Sequence, residues 1–470
     1  METIKELKGL WWIPTNSEKK IAGVLRYSRT EDTTLEIIGE FQDEDWLLDS
    51  NYQHKYEIVH GTSSDGKDVT VIASIPIDAT LNSSCSFPFV KYLTPMVVHG
   101  KHLLAPDEKF ISKITLSYDE LSIWYRPDLT KVVAHSRKVI FIERETERYE
   151  LKLEIDPNTS LILSPKVDVE QDATSYKIIQ YTNLLMEFKQ PVDLQEAIRI
   201  IGGFNQFLSF ATFSSVQCKE ICFDYDGRSD NHIYYHFSKE EYKPFLEHFR
   251  YLFTYDIIKE KFPTIIKKWY EDEDIIPIRT HLIQSLNRGG KFSSADFLVV
   301  VQAIDGYYKR FKKNDTKLYK ILVELVKEFS DISCLELVKA DFSRIVSSRD
   351  YYSHLLPVRK KNSILSWHEL HELDFQLRKL LICCLLQFIG FDNNEINLIC
   401  SKSYNEALTL KRKPKSHRDD SDAQDIKGEV IDTTYKHSAE YDLNERILDT
   451  DMLHAHKVSP LSAHKVSDPL

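Results

Sequence analysis

The chain has 470 residues, of which 42% are hydrophobic and 28% are charged, so most of it can bury a core. Glycine and proline, with 14 and 16 residues, are too scarce for a collagen-like or linker-dominated chain. The net charge is −11, but residues 291–410 carry 17 basic and 15 acidic side chains, so we expect any polyanion to bind toward the C-terminal part.

The longest apolar run, from Leu380 to Phe391, is interrupted by Gln387 and is shorter than the roughly 20 residues that a transmembrane helix needs. The N-terminal residues are acidic where a signal peptide would be basic, so we expect a cytoplasmic protein without a membrane partner. The seven cysteines are scattered and odd in number, which excludes a disulfide framework. Cys218 and Cys222 have no second pair at metal-binding spacing, so no metal and no other cofactor is predicted.

Residues 1–165 are predicted to be β-rich. Short segments of β-branched and aromatic residues, such as Leu35–Phe41, Val69–Ala73 and Ile114–Ser117, alternate with turn residues. This spacing is typical of a sandwich or a barrel. Residues 166–290 mix strand and helix patterns and are predicted to be an α/β continuation of the first part.

Residues 291–410 are predicted to form an all-α, antiparallel helical bundle. Ser293, Ser333, Ser347 and Ser366 are each followed three residues later by an acid, the pattern of a helix N-terminus. Ser347 either restarts or reinforces a helix that is expected to end at Pro357. The longest helix starts at Ser366, has an apolar face, and is expected to end at Gly390. The predicted fold class is therefore α+β and multidomain, and residues 411–470 are predicted to be a charged, disordered tail.

One short motif in the bundle could support catalysis, namely the Arg-x4-His sequence from Arg349 to His354. Its second residue, Asp350, lies one helical turn before His354 on the same predicted face. A second Arg-x4-His, Arg412 to His417, spans a proline in the charged tail, where nothing would hold its geometry. The first copy is predicted at a helix start inside the bundle, so it is the better candidate.

These residue types suit RNA cleavage, because an RNA phosphodiester carries its own nucleophile, the 2′-OH. A histidine can transfer protons near neutral pH, and an arginine can bind phosphate oxygens with two parallel donors. Asp350 would orient His354 or pair with Arg349. One histidine cannot readily be both acid and base in one step, so the motif suggests that two copies meet in a homodimer.

A purely structural interpretation remains open, in which Asp350 caps a helix, Arg349 pairs with an acid, and His354 packs in the bundle. Weaker RNA-binding candidates are the basic residues Lys309, Arg310, Lys312, Lys313, Arg359, Lys360 and Lys361. For the first four, the alternative is an exposed basic helix end with two of the neighbouring aromatic residues in the core. His368 and His371 have the wrong spacing for a zinc protease and are predicted to be surface residues.

A C-terminal helical bundle with Arg-Asp-x3-His resembles the HEPN ribonuclease superfamily. Gly9–Pro14, Gly23–Leu25 and His60–Thr62 resemble strands of the ApeA-type N-terminal domain. The resemblance implies an anti-phage defence protein acting by abortive infection, in which the HEPN domain cleaves RNA, with tRNA as the favoured target, and the N-terminal domain senses or restrains.

By this resemblance, Arg349 and His354 are the catalytic pair and Asp350 is the accessory polar residue. The implied partners are RNA, a second copy of the chain in a homodimer or higher oligomer, and a phage-encoded trigger or inhibitor. The alternative function is a non-catalytic interaction protein, in which the bundle dimerises and the N-terminal half binds a ligand.

Overall fold

The computed structural model describes residues 5–28, 31–41, 56–80, 89–127, 130–135, 139–144, 149–171, 176–235, 251–287, 292–337, 340–354 and 363–401. Within them, the N-terminal half is rich in strands and the C-terminal part is helical, which confirms the predicted α+β class. The predicted tail (411–470), its Arg-x4-His copy, and the basic residues Arg359, Lys360 and Lys361 lie outside the described residues. Across the described ranges, no helix is long and apolar enough to cross a membrane.

The strands pair in antiparallel fashion throughout the described ladders. They are β1 (Lys5–Trp12), β2 (Ile21–Tyr27), β3 (Thr34–Ile38), β4 (Tyr56–Ser63), β5 (Asp68–Thr80), β6 (Phe89–Leu93), β7 (Met96–His99), β8 (Ile111–Ser117), β9 (Thr130–His135), β10 (Val139–Arg144), β11 (Leu151–Glu154), β12 (Thr159–Gln171), β13 (Tyr176–Val192), β14 (Glu220–Tyr225) and β15 (Arg228–Tyr235). One sheet has the order β11-β12-β13-β8-β14-β15-β7-β5-β4-β1-β2-β3-β6, and β9 pairs with β10 separately.

Part of this sheet is closed into a barrel. Strand β5 pairs with both β4 and β6, so the strands β5-β4-β1-β2-β3-β6 form a ring of six. Its interior is filled by buried side chains such as Trp11, Leu25 and Val59, as expected for a small barrel. Gly61 on β4 lies against the Trp11 ring, where an added Cβ would come within 2.3 Å of a ring carbon. Of the two predicted architectures, the structure therefore contains the barrel.

The helices follow the strands in the chain, except for two that lie between strands. They are α1 (Leu121–Trp124), α2 (Leu194–Thr212), α3 (Tyr255–Ile258), α4 (Phe262–Glu271), α5 (Ile276–Asn287), α6 (Ser294–Phe311), α7 (Leu318–Glu328), α8 (Phe342–His354) and α9 (Trp367–Phe388), and residues 393–401 are also helical. Asp193 begins α2 by accepting a hydrogen bond from the Glu196 N–H at 2.9 Å.

One hydrophobic core extends from strands β8 and β11–β15 through α2 into the helical bundle, whereas most buried residues of the barrel form a separate cluster. The indole N–H of Trp269 on α4 donates to the Gly203 carbonyl of α2 at 2.9 Å, and its ring lies 5.7 Å from that of Phe207. Further along, Phe253 contacts Phe391, beyond the end of α9, with ring centroids 5.9 Å apart. The sheet and the bundle therefore share one packed interior.

Two of the four predicted helix starts are confirmed. Ser293 and Ser366 each form a complete capping box with the acid three residues later. The start predicted at Ser333 is wrong, since no helix begins there and its N–H and hydroxyl both donate to Asn397 Oδ1 at 2.9 Å. Of the two alternatives at Ser347, a helix restart is wrong, because Ser347 lies inside α8, where Asp341 caps the first turn.

The antiparallel arrangement predicted for the bundle is wrong for α6 and α9, which run in the same direction. Phe292, just before α6, contacts Trp367 at the start of α9, with ring centroids 5.8 Å apart. At the other end, Phe311 contacts Phe388 at 4.9 Å. The intervening residues return the chain, so sequence order alone does not set helix direction. Gly390, with a φ of +110°, follows α9 as predicted.

Candidate functional site

Helix α8 carries the Arg349–His354 motif and packs against α6 and α7. Its inner face is anchored by Ile345 and Ser348, which are both buried. The Ser348 hydroxyl accepts a hydrogen bond from the buried Leu365 N–H at 2.9 Å. This bond fixes the middle of α8, one residue before Arg349, to the segment that leads into α9.

A second link joins α8 to the first turn of α9. The Arg344 guanidinium donates to both carboxylate oxygens of Glu369, at 2.7 and 3.0 Å. Glu369 also accepts from the Ser366 N–H and hydroxyl, both at 2.8 Å. Hydrogen bonding by the Arg344 guanidinium, and then by Ser366, lowers the pKa of Glu369 to about 2. One carboxylate therefore caps α9 and positions α8.

The three motif residues occupy the C-terminal end of α8, and not a helix start as predicted. Arg349 Nη1 lies 3.1 Å from Asp350 Oδ1, and both side chains are partly exposed. His354 is the last residue of α8 and is exposed. Asp350 and His354 lie one turn apart, whereas Arg349 and His354 are separated by about 140° around the helix axis at 3.6 residues per turn.

This geometry limits what a single copy can do. Arg349 and His354 leave the helix in different directions, so α8 alone does not place an imidazole beside a guanidinium. The structure brings Arg349 and Asp350 together and leaves His354 accessible to a second surface.

The variable positions of the motif have structural environments. Tyr352 packs against the hydrophobic core, and burial raises its pKa. The Tyr351 and Tyr352 rings meet edge to face with centroids 4.9 Å apart. Ser353 is exposed beside His354. These contacts keep the last turn of α8 in place without adding a catalytic group.

The predicted basic cluster at the end of α6 is engaged in local contacts. Lys309 pairs with Asp305 at 2.7 Å, and the neighbouring Lys313 is exposed. Arg310 donates to the Asp274 carbonyl at 2.6 Å. Tyr307 and Tyr308 are buried, so the alternative of an exposed basic helix end with two core aromatics agrees with the structure.

The same cluster is remote from the start of α9. Lys312 Nζ contacts Glu328 at 2.7 Å and Gln387 at 3.0 Å. Gln387 lies 18 residues beyond Glu369, which is about 27 Å along α9 at 1.5 Å per residue. Because Arg344 of α8 binds Glu369, the structure does not bring the basic cluster to the attachment point of α8.

Two supporting residues escaped the sequence analysis, namely Arg344 and Ser348. The capping box at Ser366 and Glu369 was visible in the sequence, but the arginine that shares Glu369 lies 25 residues away. His368 and His371 are both exposed on α9, as predicted, and His371 stacks on Trp367 with centroids 5.7 Å apart.

Comparison with known families accounts for most of the chain. Residues 6–269 match the family described as ApeA N-terminal domain 1, and residues 298–395 match the Apea-like HEPN family. The chain belongs to the ApeA family. None of the curated proteins and none of the solved structures matches it. ApeA-like HEPN proteins are associated with defence, and HEPN domains are generally ribonucleases that commonly dimerise.

Proposed function

We propose that this ApeA-family protein is a metal-independent endoribonuclease that defends a prokaryotic cell against phage by abortive infection. Its HEPN bundle cleaves RNA, with host tRNA as the favoured substrate, and its N-terminal half senses the infection or restrains the nuclease. The observation that carries the proposal is the intact Arg349-Asp350-x3-His354 sequence at the accessible end of α8, inside the segment that matches the HEPN family.

Each motif residue has a role that its chemistry supports. Arg349 binds the phosphate oxygens and stabilises the charge that develops on the phosphorane. His354 transfers a proton, either from the 2′-OH or to the departing 5′ oxygen. Asp350, 3.1 Å from Arg349, orients that guanidinium. The products are a 2′,3′-cyclic phosphate and a 5′-OH.

The proposal requires two copies of the chain. Acid and base act in the same displacement, and one copy supplies a single motif histidine. The divergence of Arg349 and His354 on α8 supports this requirement, because two α8 ends facing each other can present one histidine to each side of the phosphate. The catalytic unit is therefore a homodimer formed through the bundle.

The first experiment compares RNA ends in induced cells expressing wild type or single variants. We expect Arg349→Ala and His354→Ala each to abolish cleavage and growth arrest, since loss of a general acid or base costs about 10²- to 10⁴-fold in rate. Ser353→Ala is the matched control, because Ser353 is also exposed on the last turn of α8. His417→Ala tests the second Arg-x4-His sequence and should retain cleavage.

Melting temperatures separate catalysis from folding. His354 is exposed, so its replacement should leave the melting temperature unchanged. Full cleavage by the His354→Ala protein would refute the proposal. In that case dimerisation and ligand binding without catalysis would be the function to test.

The second experiment examines the chemistry with purified protein. Cleavage should proceed in EDTA, leave a 2′,3′-cyclic phosphate, and stop when the scissile nucleotide lacks its 2′-OH. His354→Ala subunits mixed into wild type should inhibit in proportion to the mixed dimers formed. A magnesium requirement with 5′-phosphate products would contradict both the mechanism and the assigned residues.

A further inference from the structure

Three metal-binding residue types meet on one face of the β14–β15 hairpin. Glu220 and Cys222 are two residues apart on β14, so their side chains lie on the same face. His232 on β15 pairs directly with Cys222 in the strand register. The antiparallel pairing therefore brings together a carboxylate, a thiol and an imidazole from positions up to twelve residues apart.

The distances between the ligand atoms correspond to a tetrahedral metal site. Cys222 Sγ lies 3.6 Å from His232 Nδ1, and His232 Nδ1 lies 3.2 Å from Glu220 Oε1. All three ligand atoms are within 4.8 Å of one another. With Zn–S near 2.3 Å and Zn–N or Zn–O near 2.0 Å, tetrahedral geometry gives about 3.6 Å for S···N and about 3.3 Å for N···O.

Neighbouring rings hold His232 in this orientation. The His232 ring is nearly parallel to that of Tyr234, with centroids 6.0 Å apart and an interplanar angle of 4°. On the adjacent strand β7, the buried His99 pairs with His232 in register, and its ring centroid is 6.3 Å away. The imidazole is therefore positioned by its surroundings before any ion binds, as metal-binding sites require.

The cluster opens onto a cleft of about 840 Å³. Glu220 and His232 line this cleft together with Lys5 and Lys219. Three protein ligands leave one position of a tetrahedral site, and two of the three, Glu220 and His232, line the cleft. Sites with three protein ligands and an accessible fourth position exchange a water or a small ligand, unlike structural sites with four protein ligands.

We propose that Glu220, Cys222 and His232 bind a zinc ion, whose fourth position is open to the cleft between β14–β15 and the N-terminal strands. The site lies within the segment that matches ApeA N-terminal domain 1 and uses no residue of the ribonuclease motif. A mixed thiolate, imidazole and carboxylate set suits zinc better than magnesium or calcium, which prefer oxygen ligands alone.

The test measures metal bound to the purified full-length chain, so its outcome does not depend on RNA cleavage. After equilibration with zinc and removal of the excess, mass spectrometry of the metal content should find one zinc per wild-type chain. Cys222→Ser and His232→Ala should lose it. Cys218→Ser is the matched control, because Cys218 lines the same cleft but lies outside the three-ligand set, and it should retain the zinc.

A further variant covers the case in which replacing Cys222 or His232 disturbs folding. Glu220 is exposed, so Glu220→Gln should fold normally and lower the zinc affinity by at least about tenfold, the loss that even an outer-shell change causes. Cobalt(II) in place of zinc should give a thiolate-to-metal charge-transfer band in wild type and Cys218→Ser, and none in Cys222→Ser. Absence of bound zinc in wild type, or equal loss in Cys218→Ser, would overturn the proposal.

Discussion

Replacement of Arg344 by methionine should loosen α8 from α9 without changing the Arg349–His354 motif itself. Methionine keeps much of the side-chain volume and removes the two hydrogen bonds to Glu369, at 2.7 and 3.0 Å, together with a longer one to the Ile364 carbonyl at 3.3 Å. Glu369 keeps its bonds to Ser366, so the cap of α9 should survive. The variant therefore isolates the link between the two helices.

The loss of stability expected for Arg344→Met follows from the pKa of Glu369, which is about 2 in the folded chain against a usual value of 4.5. This lowering of the pKa by 2.5, from 4.5 to about 2, would correspond to about 3.4 kcal/mol of stability, at about 1.36 kcal/mol per pH unit, if Glu369 were fully buried and Arg344 were the only cause. The Glu369 side chain is 43% exposed, and Ser366 contributes part of the shift. Solvent screening reduces the Arg344 share to about 1 kcal/mol.

The sign of the pH dependence is set by the lowered pKa. The stabilisation of the folded chain is present above pH 4.5 and is lost as the pH falls toward 2. In that range Glu369 binds a proton in the unfolded state but not yet in the folded state. Urea denaturation at pH 7 should show wild type about 1 kcal/mol more stable than Arg344→Met. At pH 2.5, close to the folded pKa of about 2, roughly half of that difference should be gone.

Arg199→Met is the matched control for this experiment. Arg199 also binds a carboxylate with two hydrogen bonds, both 2.7 Å, but its partner Glu196 lies on the same helix. The Arg199→Met substitution should lower the free energy of unfolding by only about 0.2–0.5 kcal/mol. An Arg344→Met protein as stable as wild type at pH 7, or a difference that persists undiminished at pH 2.5, would refute the reasoning.

Three further substitutions test the packing around the site and in the barrel by urea denaturation. Ser348→Ala leaves a buried peptide N–H without its acceptor and should cost about 1–3 kcal/mol. Burial raises the pKa of Asp374 to about 6 from 3.8. As the pH rises from 4 to 6, the free energy of unfolding of wild type should therefore fall by up to about 3 kcal/mol relative to Asp374→Asn, at about 1.36 kcal/mol per pH unit. A difference that does not depend on pH would contradict this reasoning. Gly61→Ala drives a Cβ into the buried Trp11 ring and should cost about 1–3 kcal/mol, whereas Gly306→Ala on α6, with its nearest neighbour 3.9 Å away, should be neutral or slightly stabilising.

Features that depend on a few neighbouring residues could be predicted from the sequence. The capping boxes at Ser293 and Ser366 are complete within four residues, so local chemistry decides them. Ser333 shows the same pattern but forms no helix, because Asn397, 64 residues away, binds the groups that would have capped it. A tertiary partner overrode the local signal there.

The two candidate sites also differ in whether neighbouring residues in the sequence reveal them. The Arg349–His354 motif is contiguous and could be recognised, but it lies inside α8 and not at a helix start, because the helix begins at the cap that Asp341 provides. The sequence predicts no metal site at Cys222, because Cys218 and Cys222 have no second pair of ligands at metal-binding spacing. Its closest companions, Glu220 and His232, are joined to it by strand pairing, which no cysteine spacing reveals.

The shared interior of sheet and bundle has a consequence for any attempt to study the two halves separately. Lys261 binds Glu395 at 2.5 Å, and Phe253 packs on Phe391, so contacts cross between the two segments that match different families. A fragment beginning at residue 291 would expose the apolar surface of α6 and α9 that packs against α5, and would be prone to aggregate. The intact chain should instead show one calorimetric transition. Any ligand that strains the strands of this shared core would then alter the stability of the helical bundle, because the two are packed together.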